Sequence, residues 1–182
     1  MTSRLIFCGF AFLIAIQRLI EVQVSRSHER QLRAAGGIEY GAGHYPVMVG
    51  LHATWLVSMV GEVILFDRPF IIGLFIPSAI LFLVGQMLRY SAILTLGKRW
   101  TVRVLVLPGQ PLVEKGVYRY FRHPNYLGVG LEILSAPLLH TAVITSFLFT
   151  VANWLFLRHR IQVEEAAILK NSLNAHSHII KL

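Results

Sequence analysis

Acidic residues and cysteine are what this 182-residue chain has least of: nine Asp and Glu against seventeen Lys and Arg, and one cysteine, Cys8. A lone cysteine makes neither an intrachain disulfide nor a thiolate zinc cluster, so Cys8 reads as apolar filler. The sequence also lacks a Cys/His set with zinc spacing, a Gly-rich phosphate loop, a Gly-x-Ser-x-Gly elbow, an internal repeat and any low-complexity tract, and no metal is expected. Charge of either sign is scarce at 14%, against 55% hydrophobic residues and a mean hydropathy of +0.61. That is too little charge for a soluble surface, and it places the chain among membrane proteins.

Apolar runs fall at 5–20, 45–66, 70–90 and 126–157, and one crossing needs roughly 20 apolar residues. The last run is too long for one span. Pro137 lies near its middle, followed by Leu138, Leu139 and His140, so a helical hairpin is expected with its tip near 137–141. The expectation is an all-α integral membrane protein of one domain over 1–182. It has about five transmembrane helices, at 5–20, 45–66, 70–90, 124–138 and 141–157. Gln17 and Arg18 interrupt the first run, with Arg18 expected to snorkel to the interface. A cleaved signal peptide is rejected there, because no small-residue cleavage pattern follows and the far end carries Arg18 and Glu21.

Of the seventeen cations, fifteen fall in 18–44, 89–123 and 158–182, one predicted side; Arg4 and Arg68 are the other two. The asymmetry puts the N-terminus outside and the two long loops, the C-terminus and any cofactor site in the cytoplasm. It also accounts for the net charge of +8 without nucleic acid, for which no motif is present.

Three polar segments share that side, and their convergence is the expected site. The first, 26–45, holds four glycines in eight residues and leads to His44, Tyr45 and His52 on one helical face, with Trp55 and Glu62 beyond. A hydrogen-bonded core histidine is the plainer reading of His52. Glu62 falls toward the outer end of its span, where it meets the interface. The second segment, 89–126, contains Trp100, a short extended piece at 102–107, a turn at Pro108 and Gly109, and then Val-Tyr-Arg-Tyr-Phe-Arg-His-Pro-Asn-Tyr-Leu-Gly at 117–128. Pro124 suits the first turn of a helix, which sets Arg122 and His123 at a positive helix entrance favourable to an anion. Arg119, Arg122 and His123 fit a carboxylate or phosphate, and Tyr118, Tyr120 and Tyr126 fit an adenine face or a cation. A positive-inside anchor with interfacial tyrosines is the competing reading. In the third segment Asn153, Leu157, Arg160 and Glu164 fall on one helical face. Glu164 and Glu165 read as a ribose clamp, as partners for Arg119 or Arg122, or as a solvated face.

The spaced motifs Gly-x-Tyr-Arg-x-x-Arg-His-Pro-x-Tyr-x-Gly, ending at Gly128, and Arg-x-x-x-Glu-Glu, from Arg160 to Glu165, together resemble the isoprenylcysteine carboxyl methyltransferase family over about the C-terminal half. The stretch Gly41-Ala-Gly-His-Tyr-Pro46 and the small size look more like short bacterial members associated with type III polyketide synthases, which methylate alkylpyrones. The resemblance implies S-adenosylmethionine bound between the last two helices and the C-terminal segment, and a lipophilic or prenylated acceptor entering from the bilayer. It implies Tyr118, Arg119, Arg122, His123, Pro124, Tyr126 and Gly128 as the cofactor wall, and Arg160, Glu164 and Glu165 as the catalytic end. Prenylcysteine-methylating members usually continue with further tyrosines and an arginine, whereas this chain runs Lys170-Asn-Ser-Leu-Asn-Ala-His-Ser-His, which weakens prenylcysteine in particular.

Methyl transfer from a sulfonium to an oxygen needs positioning more than a strong base, since a carboxylate or acidic enol is already anionic near neutral pH. The expected roles are Arg160 or Arg119 on the acceptor oxyanion, Tyr126 or Trp100 facing the sulfonium, and Glu164 or Glu165 orienting the arginine or a ribose hydroxyl. Arg122-His-Pro-Asn-Tyr126 also partly matches the Arg-His-x-Asn-Tyr of NADPH-dependent membrane sterol reductases, although Pro124 and the Glu pair favour the transferase. Phospholipid N-methyltransferases differ only in acceptor, and a non-catalytic scaffold is favoured if the three segments prove distant.

Overall fold

A computed structural model describes residues 1–179, with side chains described to residue 171. Helix α1 (Thr2–Ala34) is followed by strand β1 (Ile38–Tyr40), α2 (His44–Leu65), α3 (Ile72–Leu96), β2 (Val104–Val106), α4 (Pro124–Leu138) and α5 (Val143–Ile179). The expected all-α class therefore holds with one addition, a two-stranded antiparallel ribbon that pairs Ile38 with Val106 and Tyr40 with Val104. Among the described residues three helices, within 2–34, 44–65 and 72–99, are long and apolar enough to cross a membrane. The hairpin is present, its turn at 139–142, but α4 has 15 residues. At 1.5 Å per residue that is about 22 Å, short of a hydrocarbon core of about 30 Å. The sequence departure near the C-terminus lies largely outside the described side chains.

Helix α1 extends well past residue 20, and one stripe explains why. Phe7, Ala11, Ile14, Ser25 and Leu32 are buried, and Arg18 and Glu21 fall on the same i, i+3/i+4 face. Phe7, Ala11 and Ile14 form a core with Trp55, Met59 and Val63 of α2 and Ile133 and Ala136 of α4. Trp55 is fully buried, and its Nε1–H donates to the Ile133 carbonyl at 3.3 Å.

The lower half of the α1 stripe is ionic. Arg18 pairs with Glu21 at 2.8 Å and with Glu132; Arg89 pairs with Glu132 at 2.9 Å and with Glu21. Gln17 adds hydrogen bonds to Glu21 at 2.9 Å and to Gln86 at 3.0 Å. Arg18 thus turns inward to two carboxylates instead of snorkelling, because an ion desolvated among helices is stable only with opposite charge in contact. Arg89, read from sequence as the start of a loop segment, lies inside α3 and is 3% exposed. Both cations are interior partners and contribute no free loop charge.

Helix α3 packs most extensively on α4, and glycine permits the approach. A Cβ on Gly128 would meet the Arg89 Cγ at 2.5 Å and the Gly85 carbonyl oxygen at 2.7 Å. At the opposite end Glu62 accepts the backbone N–H groups of Ile144 at 3.1 Å and Thr145 at 2.6 Å, and pairs with Arg68 at 2.8 Å. This carboxylate caps α5 from another helix, satisfying its first free donors and its positive dipole end. Glu62 is therefore buried and bonded, where the sequence suggested contact with the interface.

Candidate functional site

The polar segments do meet. The β1–β2 ribbon joins the first to the second. Val102 N–H donates to Ser25 Oγ at 2.8 Å, His28 Nδ1 lies 2.8 Å from the Trp100 carbonyl oxygen, and Asn171 Nδ2 donates to the Tyr40 hydroxyl at 2.9 Å. Glu39 is held by Arg33 and by Arg103, the latter at 2.7 Å, and the Arg103 guanidinium sits 4.2 Å from the centre of the Tyr45 ring. Burial works to raise the Glu39 carboxyl, but the hydrogen bonds from Arg103 and Arg33 outweigh it and hold its pKa below the ordinary value. This interlocking removes the condition under which a scaffold was favoured.

Pro124 opens α4, with His123 as the residue before it. That setting aims His123 and Tyr126 at α5 across the hairpin. Their rings stack at 5.5 Å with an interplanar angle of 19°. His123 Nε2 lies 3.1 Å from Glu165 Oε1, and the Tyr126 hydroxyl donates to Glu164. Arg160 Nε donates to the same hydroxyl at 2.9 Å, its Nη2 donates to the Val102 carbonyl, and its Nη1 lies 3.5 Å from Met48 Sδ. Arg160 is 4% exposed. It has no carboxylate in ion-pair contact among the described residues. Glu164 reaches it only through the Tyr126 hydroxyl. A buried guanidinium without its own counterion favours an anion arriving from outside the chain.

Other expected residues fall variously around this cluster. Tyr118 lies close enough for Glu164 to act on it: burial first, then that negative charge, pushes its phenol pKa up, keeping it a neutral donor. Pro124 is buried, while Arg119 and Arg122 are exposed and pair with no carboxylate among the described residues. Glu164 and Glu165 bind Tyr126 and His123, so the alternative that paired them with Arg119 or Arg122 does not hold. Gly128 faces α3 at the close contact. Trp100 is buried, its ring edge-on to His28 at 6.5 Å. His52 Nδ1 lies 2.9 Å from the Met48 carbonyl, the plainer reading of that residue, and His44 meets His159 ring to ring at 4.9 Å.

Sequence reasoning missed the Glu132 network, Met48 and Val102. A signal for the first was present: Arg18 and Glu21 continue the spacing of Phe7, Ala11 and Ile14, which makes them inward-facing whatever their charge. Val102 and Met48 left none, since a backbone carbonyl and an ordinary methionine look alike everywhere.

These features define a polytopic helical membrane protein with a cationic, carboxylate-flanked centre at the open end of its last hairpin. Residues 78–170 match the Isoprenylcysteine carboxyl methyltransferase (ICMT) family, and the chain belongs to that family. An uncharacterised protein of Bacillus subtilis (strain 168), YpbQ, is 38% identical over 162 residues, covering 88% of this chain and 95% of that protein. Protein-S-isoprenylcysteine O-methyltransferases are similar over shorter stretches. That of Tribolium castaneum is 35% identical over 94 residues, 48% of this chain and 32% of the relative. That of Schizosaccharomyces pombe is 34% identical over 103 residues, 55% and 44% respectively.

Proposed function

We propose that this chain is a membrane methyltransferase using S-adenosylmethionine to methylate an anionic oxygen, a carboxylate or acidic enol, of a lipophilic acceptor. The observation that carries the reading is Arg160, buried and with no carboxylate in ion-pair contact among the described residues. Family membership supports it, as do relatives named O-methyltransferases. The proposed topology sets the N-terminus outside and the site and C-terminus in the cytoplasm, where a soluble cofactor has access.

The residues fit the cofactor. Glu164 and Glu165 supply acceptors for hydroxyl or ammonium donors, the stacked His123 and Tyr126 rings and Tyr118 offer aromatic faces, and Asn125 Oδ1 is buried without a partner among the described residues. Pro124 and Gly128 shape the wall, and Arg119 and Arg122 stand exposed at its rim. Bound there, S-adenosylmethionine supplies an electrophilic methyl on a positively charged sulfur. The chain's own work is positioning. Arg160, fixed by Tyr126, Val102 and Met48, holds the acceptor oxygen. Tyr126 presents its ring and a negatively partnered hydroxyl to positive charge, and Glu164 orients both. No general base is required for an acceptor already ionised, and excluding water around a fixed guanidinium strengthens its hold on that oxygen. Prenylcysteine, an alkylpyrone and other membrane lipids all present such an oxygen.

Calorimetry of S-adenosylmethionine and NADPH binding to the purified chain, with His123→Ala as control, tests the reading. Saturable S-adenosylmethionine binding that is lost in the variant is expected. NADPH binding alone would make the chain a reductase.

A further inference from the structure

Once internal pairs are counted, the charge left over lies at one end of the molecule. Of the nine acidic side chains, all but Glu114 are occupied among the described residues, six by arginines and Glu164 and Glu165 by Tyr126 and His123. At the end that holds the hairpin turn, Arg4 pairs with Asp67 and Arg68 with Glu62. At the other end, the stretch from the close of α3 to the start of α4 carries Lys98, Arg99, Lys115, Arg119 and Arg122. None of the five has a carboxylate in contact among the described residues; Arg99 Nη2 donates to the Pro111 carbonyl at 2.8 Å.

This stretch lies against the end of α3. A Cβ on Gly116, which opens a one-turn helix at Gly116–Arg119, would stand 2.6 Å from Thr95 Oγ1 in the last turn of α3. The Arg99 bond to Pro111 ties the other limb of the loop to the same place. Residues 72–99 are long and apolar enough to cross a membrane, so the end of α3 marks the edge of the hydrocarbon, and the loop packed on it sits at headgroup level. Leu112 is 62% exposed, Tyr120 77% and Phe121 44%. Large apolar side chains exposed between cations at that depth have the composition of an interfacial anchor: rings and aliphatic carbon enter the acyl boundary while the cations meet phosphates.

We propose that the stretch from Lys98 to Arg122 is a docking surface for the headgroups of anionic phospholipids such as phosphatidylglycerol, in the leaflet where α3 ends. Charge chooses the partner. A phosphatidylcholine phosphate is already matched by its own ammonium group, whereas an anionic lipid brings net negative charge to five cations that the protein leaves unpaired. The surface is independent of the methyl-transfer reading. Arg119 and Arg122, which also border the proposed cofactor site, are left out of its test.

The test is titration of the full-length chain in detergent with phosphatidylglycerol and, separately, phosphatidylcholine, with bound lipid counted by native mass spectrometry. Saturable binding of phosphatidylglycerol in preference to phosphatidylcholine is expected, and it should weaken as salt is raised. Lys98 and Lys115 are exposed and unpartnered among the described residues, so Lys98→Gln with Lys115→Gln should melt with the parent chain. That double variant should bind phosphatidylglycerol about 25-fold more weakly, about fivefold for each cation removed. Lys98→Arg with Lys115→Arg should restore the binding. Equal retention of the two lipids, or unchanged binding in the glutamine variant, would mean ordinary surrounding lipid and overturn the proposal. Displacement of phosphatidylglycerol by millimolar inorganic phosphate would mean a free-anion site in which the bilayer has no part, and would overturn it as well.

Discussion

Replacing Gly128 with alanine should destabilise the protein, while the same change two residues on, at Gly130, should not. An added Cβ at 128 would stand 2.5 Å from Arg89 Cγ, 2.7 Å from the Gly85 carbonyl oxygen and 3.2 Å from the Arg89 nitrogen. Non-bonded carbons settle at about 3.5–4.0 Å, so something must retreat by roughly 1 Å. The Gly85 carbonyl belongs to the α3 backbone, and the Arg89 side chain is tethered through its guanidinium to Glu132 and Glu21. The retreat therefore falls on the packing of α4 against α3. Overpacking of this kind costs about 1–3 kcal/mol. At Gly130 an added Cβ meets nothing within 4 Å. Both changes gain the same helix propensity, about 1 kcal/mol for glycine to alanine, so that gain cancels in the comparison and the difference between variants reports the contact alone. Thermal unfolding in one detergent should place Gly128→Ala below Gly130→Ala by about 4–8 °C for a 2 kcal/mol difference in a chain of this size. Because α4 carries His123 and Tyr126 at its start, the variant should also bind S-adenosylmethionine more weakly. Equal melting temperatures would refute the argument that this contact fixes α4.

Glu132→Ala leaves Arg18 and Arg89 sharing one carboxylate in the interior, and should cost about 3–5 kcal/mol; denaturant unfolding that shows less than about 1 kcal/mol would mean the network is hydrated or dispensable. Glu39 has its pKa depressed by Arg103 and Arg33 against the opposing effect of burial. Its contribution to stability is therefore complete above the ordinary carboxylate value of about 4.5 and is lost as pH falls through that value toward the lower folded one. Unfolding followed between about pH 5 and about pH 3 should show a shallower acid loss in Glu39→Gln than in the parent chain. Arg160→Ala should lower methyl transfer by about 10²–10³-fold, the usual effect of deleting one fixed donor to a reacting oxygen. Glu164→Ala should lower it less, and full turnover in both would remove the proposed reactive end.

Much of the architecture is legible in the residues because a bilayer and a helix impose local rules. Runs of apolar residues, Pro124 at a helix start and Pro137 near a hairpin tip are signals read over ten or twenty positions, and they foretell the helix order, although only three of the five expected spans are long and apolar enough to cross a membrane among the described residues. The grouping of Tyr126, Arg160 and Glu164 is likewise half visible, since Arg160 and Glu164 repeat at helical spacing. Tertiary structure decided the rest. Arg18 finds Glu132 across 114 positions, Glu62 caps a helix more than 80 residues away, and Glu164 takes Tyr126 where the sequence offered Arg119 or Arg122 among its readings. Partner choice among ions depends on which few side chains share a dry space, and no local pattern records it. The sequence by itself determined that this is a helical membrane protein of a recognisable family. Only the packed helices decided which charges neutralise one another, and among the described residues they leave Arg160 buried with no carboxylate in ion-pair contact.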